Sequence, residues 1–125
     1  MYQIDNQSRV PIYEQIIRQV EQFVLTGALQ PLEQLPSVRA MSMEIHLNPN
    51  TVQKAYSELE RRKVIFTVSG KGTFITDKAK TLLQQENRKG LGSLAPAVRQ
   101  LALSGVKKQE IIDVVEQVYK EDQND

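Results

Sequence analysis

Hydrophobic residues recur at helical spacing in three segments of the first half of the chain. After a polar stretch at residues 1–10, which we interpret as an extended arm, Pro11 opens the first helix and Thr26-Gly27 ends it, since proline suits a helix start and glycine a helix end. Ser37 begins a shorter second helix, and Asn48-Pro49 begins a third as its cap and first residue. The predicted apolar faces are Ile12, Tyr13, Ile16, Ile17, Val20, Phe23 and Val24, then Val38, Met41 and Ile45, then Val52, Ala55, Tyr56 and Leu59.

Two short runs of β-branched and aromatic residues follow the third helix. They cover residues 64–68 and 73–75, and the segment Ser69-Gly70-Lys71-Gly72 between them predicts the turn of a β-hairpin. Residues 29–36, between the first two helices, contain two prolines and are predicted to be a loop. Three helices and a hairpin within residues 1–76 predict a winged helix-turn-helix, mainly α with a small β-hairpin.

Residues 77–125 are rich in helix formers and are predicted to be a short α-helical region. We expect Asp77 to cap its first helix. The segment 90–96, with two glycines and a proline, predicts a break or kink in which Ser93 caps a new helix. Ser104-Gly105 then turns the chain. The predicted apolar faces are Leu94, Val98, Leu101 and Ala102 and, in a last helix over about 107–121, Ile111, Val114, Val115 and Val118.

Composition excludes several classes of protein. Apolar residues make up 40% and charged residues 25%, as in ordinary globular domains. Without cysteine the chain has no disulfides, thiolate metal sites or cysteine nucleophile, and its single histidine forms no cluster, so we expect no metal and no cofactor. No apolar run approaches the ~18 residues of a membrane span, and residues 1–10 do not resemble a signal peptide. We therefore expect a cytoplasmic protein without membrane contact, whose tail, residues 122–125, is frayed.

The net charge of +1 gives no general attraction to nucleic acid. Residues 1–76 carry eight Lys/Arg and seven Asp/Glu, a net charge of +1, and residues 77–125 carry eight of each, a net charge of zero. A DNA-binding surface must therefore come from the local placement of charged residues.

The second and third helices match the register of a helix-turn-helix. Apolar residues are needed where two such helices touch, and a small residue where their backbones approach closely. Ser42 occupies the small position. His46 occupies the turn position, where glycine is usual because φ is often positive, and we interpret it as a turn residue and not a metal ligand. The apolar positions of this unit are Met41, Ile45, Leu47, Val52 and Ala55.

Four segments in order carry a family resemblance: P-I-Y-E-Q-I at 11–16, L-P-S-V-R at 35–39, N-T-V-Q-K-A-Y at 50–56 and G-K-G-T-F-I at 70–75. They resemble the GntR family of bacterial transcriptional regulators. The short C-terminal region and the phrase N-P-N-T-V-Q-K-A-Y are similar to the YtrA subfamily, in which a pair of helices serves for dimerisation. The chain departs from the family pattern at Leu32 and Lys63, where glycine is common, and at Met41-Ser42, which replaces Leu-Ala.

The resemblance implies that the starts of the second and third helices and the hairpin tip, here called the wing tip, bind DNA. The third helix is expected to enter the major groove, where Asn and Gln pair with adenine and Lys with guanine or phosphate. A lysine between glycines at the wing tip suits the minor groove. The candidate DNA-binding residues are Ser37, Arg39, Asn48, Asn50, Thr51, Gln53, Lys54, Gly70, Lys71, Gly72 and Thr73.

Each candidate also has a plain structural interpretation. Ser37 and Asn48 suit helix caps, and Arg39 suits a solvated helix surface, as do the polar residues of the third helix. The wing glycines suit the turn alone. The basic run Arg61-Arg62-Lys63 is typical of a solvated helix end with favourable charge.

The function indicated is a sequence-specific, dimeric DNA-binding repressor. The apolar faces within residues 77–125 can be buried either by packing back on the winged helix or by pairing with a second copy of the chain. We expect the second copy, which gives a two-fold dimer. By resemblance, the regulated genes are the regulator's own gene, a transporter operon, or both. A small-molecule effector has room at a domain or subunit junction, although the sequence does not identify one.

Two other classes of function stay open to test. A protein-interaction module that uses a winged helix without binding DNA is favoured by the near-neutral charge. An enzyme is not expected, because no nucleophile–base pair or pair of carboxylates is recognisable. The run Gly70-Lys71-Gly72-Thr73 lacks the spacing of a phosphate-binding loop.

Overall fold

The first three helices begin where the sequence predicts helix starts. In the computed structural model, which describes residues 2–123, Pro11, Ser37 and Asn48 stand immediately before the first helical residues. The helices are α1, Ile12–Thr26; α2, Val38–Glu44; and α3, Pro49–Arg61. The predicted winged helix-turn-helix is confirmed.

A three-stranded antiparallel sheet adds one strand to the predicted hairpin. The strands are β1, Gln34–Leu35; β2, Ile65–Val68; and β3, Gly72–Ile75, with β3 in the middle. The prediction that residues 29–36 are a loop is therefore wrong at Gln34 and Leu35, which pair with Phe74 and Thr73. A two-residue strand is too short to show an alternating pattern, so its pairing is set by the hairpin that it joins.

The core of the first unit lies between the three helices and one face of the sheet. All four apolar residues predicted for α3 are buried, as are Ile16, Ile17, Val20 and Val24 of α1. Leu35, Ile65 and Ile75 supply the buried side chains of the three strands. This packing fixes α2, α3 and the sheet relative to one another.

The N-terminal arm is docked onto α1 and is not merely extended. The N–H of Gln3 donates to Gln19 Oε1 at 2.8 Å, and the N–H of Asp5 donates to Gln15 Oε1 at 2.8 Å. Each glutamine amide also donates back to the carbonyl oxygen of the same arm residue. These paired bonds place Tyr2 in the core, where it is only 8% exposed.

The chain divides into two compact units between Glu86 and Asn87. From the sequence alone the functional boundary is expected between residues 76 and 77. The helix that follows, α4 (Ala79–Arg88), buries Ala79 and Leu83 in the core of the first unit. Within the described residues, Asp77 makes no capping hydrogen bond to this helix, so the predicted cap is not formed.

The second unit consists of α5, Gly90–Leu103, and α6, Lys108–Gln123. The predicted break falls at Lys89, before the segment 90–96, so the prediction that Ser93 caps a new helix is wrong. Gly92 and Ser93 lie near the start of α5, and the Gly92 N–H donates to the Lys89 carbonyl oxygen at 3.1 Å. Pro96 lies inside α5, where it forgoes one backbone hydrogen bond.

The predicted apolar faces of the second unit stay largely exposed in the single chain. Leu94, Leu101, Val114, Val115 and Val118 are 45% to 64% exposed. The turn at Ser104-Gly105 is confirmed, and α6 continues to Gln123, while residues 124 and 125 of the predicted frayed tail lie outside the described residues. No helix within residues 2–123 is long and apolar enough to cross a membrane.

Candidate nucleic-acid interface

The start of α2 combines a capped helix end with an arginine that has no partner. The Ala40 N–H donates to Ser37 Oγ at 3.0 Å, which satisfies one of the amides that a helix start leaves free. Arg39 is exposed, and its side chain makes no ion pair or hydrogen bond with any residue that the structure describes. The guanidinium is therefore available to a ligand outside the chain.

The start of α3 is capped in the same way. The Asn50 N–H donates to Asn48 Oδ1 at 2.8 Å, so the Asn48 side chain acts as a cap. Asn50 is exposed and Thr51 is half-buried. The open Asn50 side chain can contact a base edge, while the backbone of this turn is already paired, since the Thr51 N–H donates to the Asn48 carbonyl oxygen at 3.0 Å.

The next turn of α3 carries polar side chains with partners inside the chain. Gln53 Nε2 donates to Ser57 Oγ at 3.1 Å, and both residues are exposed. Lys54 Nζ lies 4.0 Å from the centre of the Tyr13 ring, a cation–π contact between α3 and α1. This contact holds the ammonium beside α1, so Tyr13, predicted to lie on the apolar face of the first helix, also borders the site.

The wing tip is a tight turn with one exposed lysine. The Lys71 N–H donates to the Val68 carbonyl oxygen at 2.9 Å, and Gly70 has a φ of 76°. The Lys71 side chain is exposed and has no ion pair within residues 2–123. Thr73 is half-buried, whereas Lys71 is exposed. The Thr73 hydroxyl lies 3.3 Å from that of Thr67.

Two contacts bring the three candidate segments together at the residues before α2. Leu35 pairs with Thr73, next to the wing tip. The Tyr56 hydroxyl of α3 donates to the Pro36 carbonyl oxygen at 2.6 Å. Since consecutive Cα atoms are about 3.8 Å apart, the Ser37 Cα lies about 3.8 Å from that of Pro36 and at most about 7.6 Å from that of Leu35.

Left-handed residues at the ends of α2 and α3 set the geometry of the site. His46 has a φ of 54°, and the N–H of Leu47 donates to the Ser42 carbonyl oxygen at 3.0 Å. Lys63 has a φ of 65°, and the N–H of Val64 donates to the Leu59 carbonyl oxygen at 3.0 Å. Both are the six-residue closures that usually place glycine in the left-handed position.

Arg61 and Arg62, at the end of α3, form ion pairs within the chain, in contrast to Arg39 and Lys71. Arg61 Nε donates to Glu58 Oε2 at 2.9 Å, and Arg62 Nε donates to Glu58 Oε1 at 3.0 Å. These hydrogen bonds lower the pKa of Glu58 to about 2. Arg62 also lies 3.4 Å from Glu21 of α1. The pairing agrees with the solvated helix end expected for Arg61-Arg62-Lys63.

Two residues of this region are missed by the sequence patterns. Gln34 lies in the unpredicted strand β1, and its Nε2 donates to the Lys71 carbonyl oxygen at 3.2 Å. Tyr2 lies in the arm and packs edge-on against Phe23, with ring centres 5.5 Å apart. The contacts of both residues join positions that are far apart in sequence, so no local sequence pattern predicts them. Within residues 2–123, no three His, Cys, Asp or Glu side chains form a group that could hold a metal ion.

Comparison with known proteins agrees with this arrangement. The family model of the bacterial regulatory proteins of the gntR family matches residues 12–75. The HTH-type transcriptional repressor YtrA of Bacillus subtilis is 53% identical over 83 residues, which cover 66% of this chain and 64% of that repressor. The chain thus spans slightly less than two thirds of that relative's length.

Two further proteins match over more of the chain. The uncharacterized HTH-type transcriptional regulator YhcF of Bacillus subtilis is 38% identical over 112 residues, covering 88% of this chain and 93% of that protein. The crystal structure of a transcriptional regulator from Oenococcus oeni has a TM-score of 0.74 at 36% identity, covering 95% of this chain and 99% of that one. The chain belongs to the GntR family of bacterial regulatory proteins, as a YtrA-like transcriptional regulator with a DNA-binding winged helix-turn-helix.

Proposed function

We propose that two copies of this chain bind one operator and repress transcription, with residues 1–76 reading DNA and residues 77–125 joining the copies. The observation that carries the proposal is the convergence at the start of α2. There the Tyr56–Pro36 hydrogen bond and the Leu35–Thr73 pair join α3 and the wing strand to the residues just before Ser37. Arg39 and Lys71 are exposed without acidic partners in the described part of the chain.

The proposed role of each candidate residue depends on which of its atoms are already hydrogen-bonded within the chain. Arg39 and Asn50 have free side chains and read base edges. In Ser37 and Asn48 the side-chain oxygen already caps the helix, so the Ser37 hydroxyl hydrogen and the Asn48 Nδ2 group donate to phosphate oxygens. Lys71 enters the minor groove, where the negative potential is strongest. The supporting set is Thr51, Gln53, Lys54, Gly70, Gly72 and Thr73.

The exposed apolar faces of α5 and α6 support a dimer. Five of their predicted face residues remain at least 45% exposed in the single chain. A second copy buries such faces in a two-fold interface, and operator half-sites then lie roughly 34–36 Å apart or a multiple of that distance. The repressor function of the Bacillus subtilis relative supports repression, with the chain's own gene or a transporter operon as targets. A small effector that releases the operator fits this scheme.

The test is fluorescence anisotropy of the full chain with the duplex upstream of its own gene and with a shuffled duplex of equal length. We expect tighter binding to the native duplex, with an affinity that falls steeply as salt rises because several phosphates are neutralised. Equal, weak binding to both duplexes would contradict a sequence-reading role at this site. No binding to either duplex at low salt would favour the protein-interaction module, to which the near-neutral charge points.

A further inference from the structure

A side chain from β1 holds the backbone of the wing tip. Gln34 lies 37 residues from Lys71 in sequence, yet its Nε2 donates to the Lys71 carbonyl oxygen at 3.2 Å. The strand pairing brings the two together, because Gln34 lies opposite Phe74 on β3. The contact therefore depends on the short strand that the sequence pattern does not predict.

The Gln34 side chain lies flat against Gly72. A Cβ atom added at Gly72 would stand 2.4 Å from Gln34 Nε2 and 3.3 Å from Gln34 Cδ. Gly72 also has a φ of 129°, a conformation that side chains rarely adopt. The glycine thus leaves the space that the amide of Gln34 needs in order to reach past it to Lys71.

The peptide groups on both sides of Lys71 are held by hydrogen bonds, while its ammonium is free. The Lys71 N–H donates to the Val68 carbonyl oxygen at 2.9 Å, and the Lys71 carbonyl oxygen accepts from Gln34. Without the Gln34 bond, the three-residue tip between Val68 and Gly72 would be held only by the turn itself. A flexible wing tip would have to become ordered when it enters a narrow groove, and that ordering would lower the affinity. A tip whose backbone is already fixed avoids this cost.

We propose that Gln34 is a positioning residue for DNA binding: it fixes the Lys71 main chain so that the Lys71 ammonium enters the minor groove. The proposal rests on the proposed function, because it assigns Gln34 a role in the wing–DNA contact. Gln34 itself contributes no charge and does not touch DNA. Its effect is therefore transmitted wholly through Lys71.

Gln34→Met is the test variant, because methionine is similar in length but cannot donate to the Lys71 carbonyl oxygen. Gln30→Met is the matched control. Gln30 is an exposed glutamine of the same loop region, and its Nε2 donates to the carbonyl oxygen of Gly27 at 2.6 Å, away from the wing. Both variants remove one amide-to-backbone hydrogen bond from the full chain.

The first readout needs no DNA. Backbone ¹⁵N relaxation of the free protein reports the order parameter of the Gly72 amide, which belongs to the same peptide group as the Lys71 carbonyl. In Gln34→Met we expect this parameter to fall from about 0.85, typical of rigid backbone, towards about 0.6, while Gln30→Met leaves it unchanged. An unchanged order parameter in Gln34→Met overturns the proposal, whether or not the protein binds the duplex.

The second readout is the salt dependence of binding to the duplex upstream of the chain's own gene. Lys71→Ala lowers the slope of log K against log salt by about 1, because a positive charge that displaces counterions from the DNA is lost. We expect Gln34→Met to lower the slope in the same direction and the affinity by about 5-fold, although it removes no charge. The double variant binds like Lys71→Ala alone.

Different results would refute the proposed function and the positioning role of Gln34. If the wild-type chain does not bind the duplex, the proposed function fails there, and the relaxation measurement alone decides whether Gln34 positions the wing. If Lys71→Ala weakens binding and Gln34→Met binds like the wild type, the function stands and the positioning role of Gln34 is overturned. Additive losses in the double variant also overturn it, since they would show an effect of Gln34 that bypasses Lys71.

Discussion

Tyr56 and Pro36 join the third helix to the start of the second through a hydrogen bond of 2.6 Å between the Tyr56 hydroxyl and the Pro36 carbonyl oxygen. Tyr56 is 4% exposed, and burial raises its pKa above the ordinary range. The hydroxyl also lies 3.8 Å from Met41 Sδ. Because Pro36 precedes the cap residue Ser37, this bond couples the position of α3 to the start of α2, where we propose that DNA binds.

Two tyrosine-to-phenylalanine changes have opposite expected effects on stability. Tyr56→Phe leaves the Pro36 carbonyl oxygen without its partner and costs about 1–2 kcal/mol of unfolding free energy. The Tyr2 hydroxyl is buried without a hydrogen-bond partner in the described part of the chain, so Tyr2→Phe is neutral or stabilising. Urea unfolding followed by circular dichroism measures both. Equal losses in the two variants would contradict the assignment of these hydroxyls.

Replacing Lys63 by glycine should stabilise the end of the recognition helix. Lys63 has a φ of 65°, a conformation that costs a non-glycine residue about 1–2 kcal/mol, whereas glycine loses only about 0.5–1 kcal/mol of chain entropy in exchange. We therefore expect Lys63→Gly to raise the unfolding free energy by up to about 1 kcal/mol. Glu60→Gly, within α3, is the control and lowers it by about 1 kcal/mol. A loss at both positions would refute the strain at Lys63.

The sequence marks Leu32, His46 and Lys63 by the absence of the glycine that is usual in the family, whereas their positive φ values are seen only in the structure. They are the non-glycine residues with positive φ in the described chain. The residue pattern also predicts the core of α3 in full, because helical periodicity marks a buried face directly. Strand β1 and the docking of Tyr2 are not predicted, because each depends on contacts with distant residues and leaves no local pattern.

Acid should weaken the ion pairs that Glu58 forms with Arg61 and Arg62 at the end of α3. Hydrogen bonds from Arg61 and Arg62 hold the pKa of Glu58 at about 2, below its ordinary value of 4.5. The unfolded chain therefore takes up the proton first, so the stabilisation is present above pH 4.5 and is lost as the pH falls towards 2. Glu58→Gln lowers the Tm at neutral pH and flattens its decline in acid.

Glu60→Gln is the charge-matched control for this network. Glu60 is exposed on the same helix, and its side chain has no ion pair among residues 2–123. We expect its Tm to follow the wild-type curve from neutral pH to acid in thermal melts. If the two glutamine variants give the same curve, the hydrogen bonds to Glu58 do not contribute to stability.

A charge on the apolar face of α6 should separate the proposed dimer. Val118 is 49% exposed and shares one helix face with Val114 and Val115. Val118→Glu places an unpaired carboxylate in the interface and gives a monomer in analytical ultracentrifugation at micromolar concentration. Gln109→Glu adds the same charge nine residues before Val118, on the opposite face of α6, and remains a dimer. A wild-type chain that sediments as a monomer would contradict the dimer itself.

The candidate site is predicted only in part from the sequence, for physical reasons. The residue types at the starts of α2 and α3 indicate capped helix ends with base-reading side chains, and Ser37 and Asn48 do cap. Pattern alone does not show that Lys54 stacks on Tyr13 or that Gln34 reaches Lys71. Both contacts join residues far apart in sequence, and only the packed fold brings them within reach.

Arg39 provides the most direct test of DNA reading by this surface. Wild type, Arg39→Ala and Arg18→Ala are titrated by anisotropy against the native upstream duplex and its shuffled control. Arg18, paired with Glu14 on α1 at 3.7 Å, controls for the loss of one positive charge. We expect Arg39→Ala to lose about 1–3 kcal/mol of preference for the native duplex, while Arg18→Ala keeps it. An unchanged preference in Arg39→Ala would contradict base reading at the start of α2.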